Sequence, residues 1–370
     1  MESNTLKKII PIEQLWINLD NFENRLYEIS SSKDSYLNDI SQYLIKAGGK
    51  RFRPICTLLA GELGNGNNEK IIDAAVAVEL IHLGSLYHDD VIDEAETRRS
   101  VQSANVKWNA TLSILAGDYL LARSSELAAE TLGLESVKLL ASTYAELVEG
   151  QTKEVQYQYD TDHNTDDYMK VIEGKTASLI RTSAKLGAMA AECDEKTTKA
   201  ISKWAWHSGF IFQITDDILD LSSDTETLGK EAGKDIIEGT YTLPVLIALS
   251  KDKEKIKKIL KEVKNSEISL SAVIDEFNNE KIINESKKYL DYHFKEGKQS
   301  LNDIGDSKIK EILNDITNYL INRSNYFSCF RCGKANTSLI EILLVKIITN
   351  LSTPNPSPPV GGNPYWRAST

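Results

Sequence analysis

Two acidic stretches hold the residues whose spacing could do chemistry. The first is His88-Asp89-Asp90-Val91-Ile92-Asp93, followed closely by Arg98-Arg99; the second is Gln213-Ile214-Thr215-Asp216-Asp217-Ile218-Leu219-Asp220. Each is a DDxxD cluster set in helix-forming, largely apolar sequence. On a helix, residues four apart share a face, so Asp89 points with Asp93 and Asp216 with Asp220. Carboxylates at that spacing repel by about a few tenths of a kcal/mol even when solvated. One such cluster fits a solvated helix face. Two of them beside apolar surface make sense if cations sit between them. Carboxylate oxygens suit a hard ion, and Mg2+ keeps waters while bridging one or two carboxylates to substrate phosphates. Two clusters facing each other therefore imply a polyphosphate held between them.

The basic residues become interpretable on that footing. Lys50, Arg53, Arg98 and Arg99 offer point-charge or fork-shaped donors to a phosphate-bearing ligand. His82, two helical turns before Asp89, could donate to a second phosphate, although a lone histidine there also fits a satisfied core residue. Arg51 reads as a surface charge. Lys175-Thr176 follow Gly174 in the middle of a helical run, and the glycine marks a kink that could expose a carbonyl. Gln213 precedes the second cluster by one turn, so its amide shares that face.

The elements that must position these groups read as helices throughout. Residues 1–350 contain three prolines (Pro11, Pro54, Pro244), against five in residues 351–370. Sparse proline with repeated apolar 3–4 spacing indicates an all-α domain. Helices are expected over residues 12–43 with a break near Ser30 to Ser35, then 71–90, 109–132, 135–159, 166–189 and 194–221, followed by a polar loop from Ser222 to Gly239. No strand-like alternation persists. Lys251 to Lys264 reads as a solvated helix face. The domain is placed at 1–325, and 326–370 as an atypical, disordered tail, with Cys329 and Cys332 lacking a second pair for zinc.

Composition narrows the rest. The 370 residues are 41% hydrophobic, an ordinary globular proportion, and the net charge of -11 argues against nucleic-acid binding. Four cysteines suggest a reducing compartment rather than a disulfide framework. The N-terminus lacks an apolar signal core and no run of roughly 18 apolar residues is evident, so a cytoplasmic protein without a transmembrane segment is expected.

Four motifs in this order, GGKRFRP (48–54), DDxxD with its following arginines (89–99), GKTASL (174–179) and FQITDDILD (212–220), closely resemble the trans-isoprenyl (polyprenyl) diphosphate synthase family. The match covers roughly residues 20–323 and is most like the bacterial long-chain heptaprenyl and octaprenyl synthases that make quinone side chains. The resemblance implies an isoprenoid-synthase-type helical bundle around a deep central cavity, usually dimeric, with Mg2+. It implies that Asp89, Asp90, Asp93, Asp216, Asp217 and Asp220 hold the metal on an allylic prenyl diphosphate. Arg98, Lys175 and Lys230 would neutralise the leaving group, while Gln213 and the carbonyls near Lys175-Thr176 stabilise the allylic cation. Lys50, Arg53, His82 and Arg99 would hold isopentenyl diphosphate.

Thr240 stands where many members have lysine, and Lys234 is the nearby substitute. Small residues one turn upstream of Asp89, Gly84 and Ser85, would leave a product tunnel open and favour a long chain; close helix packing is the other reading of the same residues. A required dissimilar small subunit, a short-chain product and a class I terpene cyclase are the competing readings. The intact second DDxxD and the Lys50, Arg53 and His82 set speak against the cyclase. Peripheral membrane contact for product release is compatible with the sequence.

Overall fold

The computed structural model describes residues 2–222, 233–305 and 307–331. Among the described residues, the regular structure is helical apart from one small hairpin. Up to the second cluster the helices are α1 (Glu2–Ile9), α2 (Glu13–Ile29), α3 (Ser35–Ser41), α4 (Tyr43–Lys46), α5 (Phe52–Gly61), α6 (Asn68–Ile92), α7 (Ala104–Lys107), α8 (Ala110–Leu127), α9 (Leu134–Gln156), α10 (Thr165–Ile172), α11 (Ser178–Ala190) and α12 (Glu195–Ser222). A compact unit spans Met1–Asn325. The last helix, Lys308–Arg331, carries six residues of the expected tail as helix, and 332–370 lie outside the described residues.

Helix α6 is the axis. Asn67 caps it, accepting from the Glu69 amide, and every residue from Ile71 to Ile81 is buried. A helix apolar on all sides must be surrounded, and α2, α5, α8 and α11 pack around it. By length and composition α6 could cross a bilayer, contrary to the sequence reading, but 78% of its most apolar stretch is buried in this core. It ends at Ile92, so the first acidic cluster sits at its C-terminal end. Helix α12 packs on α11 and on the helix Glu280–Ser300, and carries the second cluster near its own C-terminus.

Two local departures from a regular helix matter for function. Between α10 and α11, Glu173–Ala177 form a π-helical turn, the kink expected at Gly174. The reason is packing: a Cβ on Gly174 would lie 2.7 Å from the Glu146 carbonyl, and one on Gly150 would lie 2.5 Å from the Lys175 amide. The two glycines let α9 and the π turn approach closely, and π turns recur at functional sites. The second departure is a two-stranded hairpin, Thr97–Arg98 paired with Val101–Gln102, in sequence read as strand-free. Its turn residues Arg99 (φ 53°) and Ser100 (φ 64°) are both left-handed, the geometry that matches strand twist. Beyond α12, the expected loop contains a short helix, Lys234–Glu238.

Candidate active site

The first cluster divides its labour. Asp93 lines a polar cavity of about 330 Å³ together with Arg98, Glu154, Lys175, Thr176 and Gln213. Asp89, one turn earlier, lines an adjoining apolar groove. Burial pushes the Asp89 carboxyl up to about 6, offset by Lys175 and reinforced by Asp93. Asp93 is raised as well, again chiefly by burial. Asp90, one residue round the helix, is fully buried and its Oδ1 accepts Arg98 Nε and Nη2, each at 2.6 Å. Asp90 thus anchors Arg98 rather than sharing the Asp89–Asp93 face.

Lys175 reaches the same cavity from the π turn and pairs with Glu154 of α9. Burial works against its charge, but Glu154, Asp89 and Asp93 together raise its pKa. Glu154 was not singled out from sequence. The available signal was Gly150 inside a long helix: it marks a close approach, and Glu154 follows one turn later on the same face.

On α12, Asp216 and Asp220 are half-buried, and Asp217 is buried. Asp217 Oδ2 accepts the Tyr168 hydroxyl at 2.5 Å, and its Oδ1 accepts Gln213 Nε2 at 2.8 Å. Burial raises Asp217 to about 8, partly opposed by the Tyr168 hydrogen bond. Gln213 Oε1 in turn accepts Thr176 Oγ1 at 2.9 Å. Thr240 lines the polar cavity, and Lys234 is paired with Glu238 at 2.7 Å. Lys230 lies outside the described residues.

A second basic group converges near α5 and the hairpin. Arg53 Nη1 lies 3.3 Å from His82 Nε2, while Arg53 Nε is buried without a partner. Burial and the neighbouring Arg53, Arg99, Arg98 and Arg51 hold His82 well below its usual range, so it is neutral. Arg99 Nη1 donates to the Leu44 carbonyl at 2.8 Å and to the Gly48 carbonyl. Its guanidinium lies where a Cβ on Gly49 would meet it at 3.0 Å, so the glycine pair accommodates Arg99. Lys50 is exposed on the same loop. Arg51 corrects the sequence reading: it is buried, pairing with Glu23 at 2.5 Å and Glu79 at 3.0 Å. Several guanidiniums share few acids here, which suits an anionic ligand.

The apolar groove, about 530 Å³, runs between α6 and α9, from Asp89 and Val155 past Ser85 to Tyr144 and Leu147. Val155 is eleven positions after Tyr144, about 16 Å along the helix at about 1.5 Å per residue. Ser85 lines it as expected. Gly84 does not: a Cβ there would meet the Gly117 carbonyl at 3.0 Å and Leu121 Cγ at 3.1 Å. Its small size serves the α6–α8 crossing, the packing explanation rather than the tunnel one.

Among the described residues, no group of three or more carboxylate, histidine or cysteine side chains lies close enough together to hold a metal ion alone. Asp93, Glu154, Asp217, Asp235 and Glu238 line the polar cavity, and Asp89 stands one turn before Asp93 in the adjoining groove; all are oxygen donors, and burial raises Asp89 and Asp93. Such a set fits a hard divalent ion that completes its shell with water and phosphate oxygens, and it does not form a closed protein cage.

Comparison with known proteins agrees with this geometry. The family model described as polyprenyl synthetase matches residues 34–277. The chain is 34% identical over 302 residues to the heptaprenyl diphosphate synthase component 2 of Bacillus subtilis, covering 82% of this chain and 87% of that one. It is 31% identical over 323 residues to the geranylgeranyl diphosphate synthase of Methanosarcina mazei, covering 82% and 98%. Its fold matches the polyprenyl synthase of Caulobacter crescentus solved with calcium and isoprenyl diphosphate: TM-score 0.77, 28% identity, 86% of this chain and 98% of that one. The chain belongs to the polyprenyl synthetase family and is a prenyltransferase.

Proposed function

We propose that this family member condenses isopentenyl diphosphate onto an allylic prenyl diphosphate in an Mg2+-dependent ionisation–condensation, giving a long all-trans chain of the kind used for quinone side chains. The observation that carries the reading is the junction at the end of α6. Asp93 opens on a polar, cation-bearing cavity and Asp89 on an apolar groove, so a diphosphate head and a growing hydrocarbon tail have adjoining places.

Asp89, Asp93, Asp216 and Asp220 would hold Mg2+, which would supply charge to help the allylic C–O bond ionise. Lys175 and Arg98 hold the departing diphosphate, Arg98 being kept in place by Asp90. Arg53, His82, Arg99 and Lys50 bind isopentenyl diphosphate; neutral His82 can donate one N–H without adding charge. The Gln213 carbonyl oxygen presents its negative end to the developing cation. The apolar groove takes the tail at about 0.8 kcal/mol per buried methylene and keeps water from the cation. Ser85 on the groove wall supports a long product, and Tyr144 at the far end sets the limit.

The working form in this reading is a cytoplasmic homodimer. Exposed Val148 and Val155 on α9 line the groove, and these, with exposed Ile114 and Leu115 on α8, would be covered by a second copy. A second reading, in which a dissimilar small subunit covers this face, draws on the relative described as a component 2. Light scattering of the purified chain with and without candidate small subunits separates the two. The reaction itself is tested by removing one carboxylate from each cluster. Asp89→Ala and Asp216→Ala should each lower kcat by several orders of magnitude in a folded protein, and near-normal turnover by either would sink the two-cluster mechanism.

A further inference from the structure

The middle aspartate of the second cluster is placed differently from its neighbours. Both Asp217 oxygens are engaged inside the protein, Oδ2 by the Tyr168 hydroxyl at 2.5 Å and Oδ1 by Gln213 Nε2 at 2.8 Å. Asp217 is 4% exposed and Tyr168 5%. Tyr168 comes from α10, immediately before the π turn that carries Lys175 and Thr176, whereas Gln213 and Asp217 are one turn apart on α12.

Gln213 Nε2 donates to Asp217 Oδ1 and the Tyr168 hydroxyl to Oδ2, so the NH2 end of the amide is the one that meets the carboxyl group. The other end, Oε1, then faces Thr176 Oγ1 at 2.9 Å, and both groups line the polar cavity. One acceptor interaction of that oxygen is used by Thr176, and its second lone pair remains. The order Tyr168, Asp217, Gln213, Thr176 is thus a chain of three hydrogen bonds that fixes which end of the amide the cavity sees. Gly209 tightens the same contact: a Cβ there would lie 2.6 Å from Ala177 Cα, so α12 rides directly on the π turn.

We infer that Tyr168 and Asp217 are a positioning pair: they hold the Gln213 amide with its carbonyl oxygen toward the reacting centre, and Asp217 serves this network rather than metal. The inference rests on the prenyl-transfer reading above, because it gives the oriented oxygen its purpose beside a developing allylic cation. It also divides the second cluster. Asp216 and Asp220 stand four apart on one face, as Asp89 and Asp93 do in the first cluster, where Asp90 holds Arg98.

The test uses the full chain, isopentenyl diphosphate, an allylic diphosphate and an Mg2+ titration. Tyr168→Phe and Asp217→Asn should each lower kcat by about 10- to 100-fold, the scale of losing a buried partner. The KM values and the Mg2+ concentration for half-maximal rate should stay within about twofold, whereas Asp216→Asn shifts the Mg2+ requirement. Placed on Gln213→Leu, Tyr168→Phe should cost little more, because it acts through the amide already removed. A large rise in Mg2+ requirement for Asp217→Asn, or a Tyr168→Phe loss that multiplies in full on Gln213→Leu, overturns the inference. If the parent makes no product, the prenyl-transfer reading fails, and the network is still read directly. The side-chain amide signal of Gln213 in isotope-labelled parent should show slow proton exchange that Tyr168→Phe accelerates; equal exchange in both removes the network.

Discussion

Asp90 Oδ1 accepts two hydrogen bonds from Arg98, Nε and Nη2, each at 2.6 Å, while Asp89 and Asp93 face the cavities. The three acids of one motif therefore do two jobs. A buried carboxylate paired with a guanidinium costs most when only one partner is removed, because the other charge is left behind. Arg98 is partly open to water, which softens that cost.

Asp90→Asn should therefore destabilise the fold by about 1–3 kcal/mol, less than for a fully enclosed pair. It should raise the KM for the allylic diphosphate more than it lowers kcat, because Arg98 loses its fixed direction. Urea unfolding and steady-state kinetics on the same preparation check both parts.

Arg51 gives the strongest stability prediction. Its guanidinium is buried between Glu23 and Glu79, and Glu79 is 2% exposed. Arg51→Ala leaves the buried Glu79 without its closest partner and should cost about 3–5 kcal/mol. Glu79→Gln should cost less, since burial already raises the Glu79 pKa. The difference in urea midpoint between the two variants is the measurement.

The groove separates two residues that looked equivalent in sequence. Gly84→Phe drives a ring into the α6–α8 crossing, where a Cβ alone would meet a backbone carbonyl at 3.0 Å. It should destabilise by at least about 1–3 kcal/mol. Ser85→Phe projects into the groove and should leave a folded enzyme that releases shorter products. Tyr144→Ala should lengthen them. Chromatographic sizing of products from the three variants decides the assignment.

Helix order, the two clusters and the basic motif were legible because each has a local signature: apolar periodicity, acids at i and i+4, glycines before Lys50. What stayed hidden depends on which side of a helix a neighbour occupies. Gly84 and Ser85 are adjacent and both small, so nothing local says that one meets Leu121 and the other an open groove. Arg51 looked like a surface charge because its two acids, Glu23 and Glu79, lie on different helices. Asp90 and Asp217 repeat the acidic pattern of their neighbours, and only Arg98, Tyr168 and Gln213, brought in by the fold, reveal their separate use.

The buried pair His207 and His293 predicts an acid-side loss of stability. Their Nδ1 atoms are 3.0 Å apart, His293 stacks on Phe210 at 4.2 Å, and the Lys203 and Glu296 charges act on His207. Burial, with Lys203 for His207 and with His207 for His293, lowers them to about 4 and about 3. Unfolded histidine titrates near 6.5. Between these values the unfolded chain binds more protons, so stability is full above about 6.5 and falls as pH drops toward 4. His293→Phe should flatten that slope, read from urea midpoints at several pH values against the parent.

Chain elongation at the junction of a polar cavity and an apolar groove can be measured directly. Purified protein is incubated with labelled isopentenyl diphosphate, an allylic diphosphate and Mg2+, with and without chelator, and the labelled products are sized. A ladder ending in a long all-trans prenyl diphosphate, abolished by chelator, is the expected result. Allylic primer returned unextended with Mg2+ present, or cyclised without incorporating label, would contradict it.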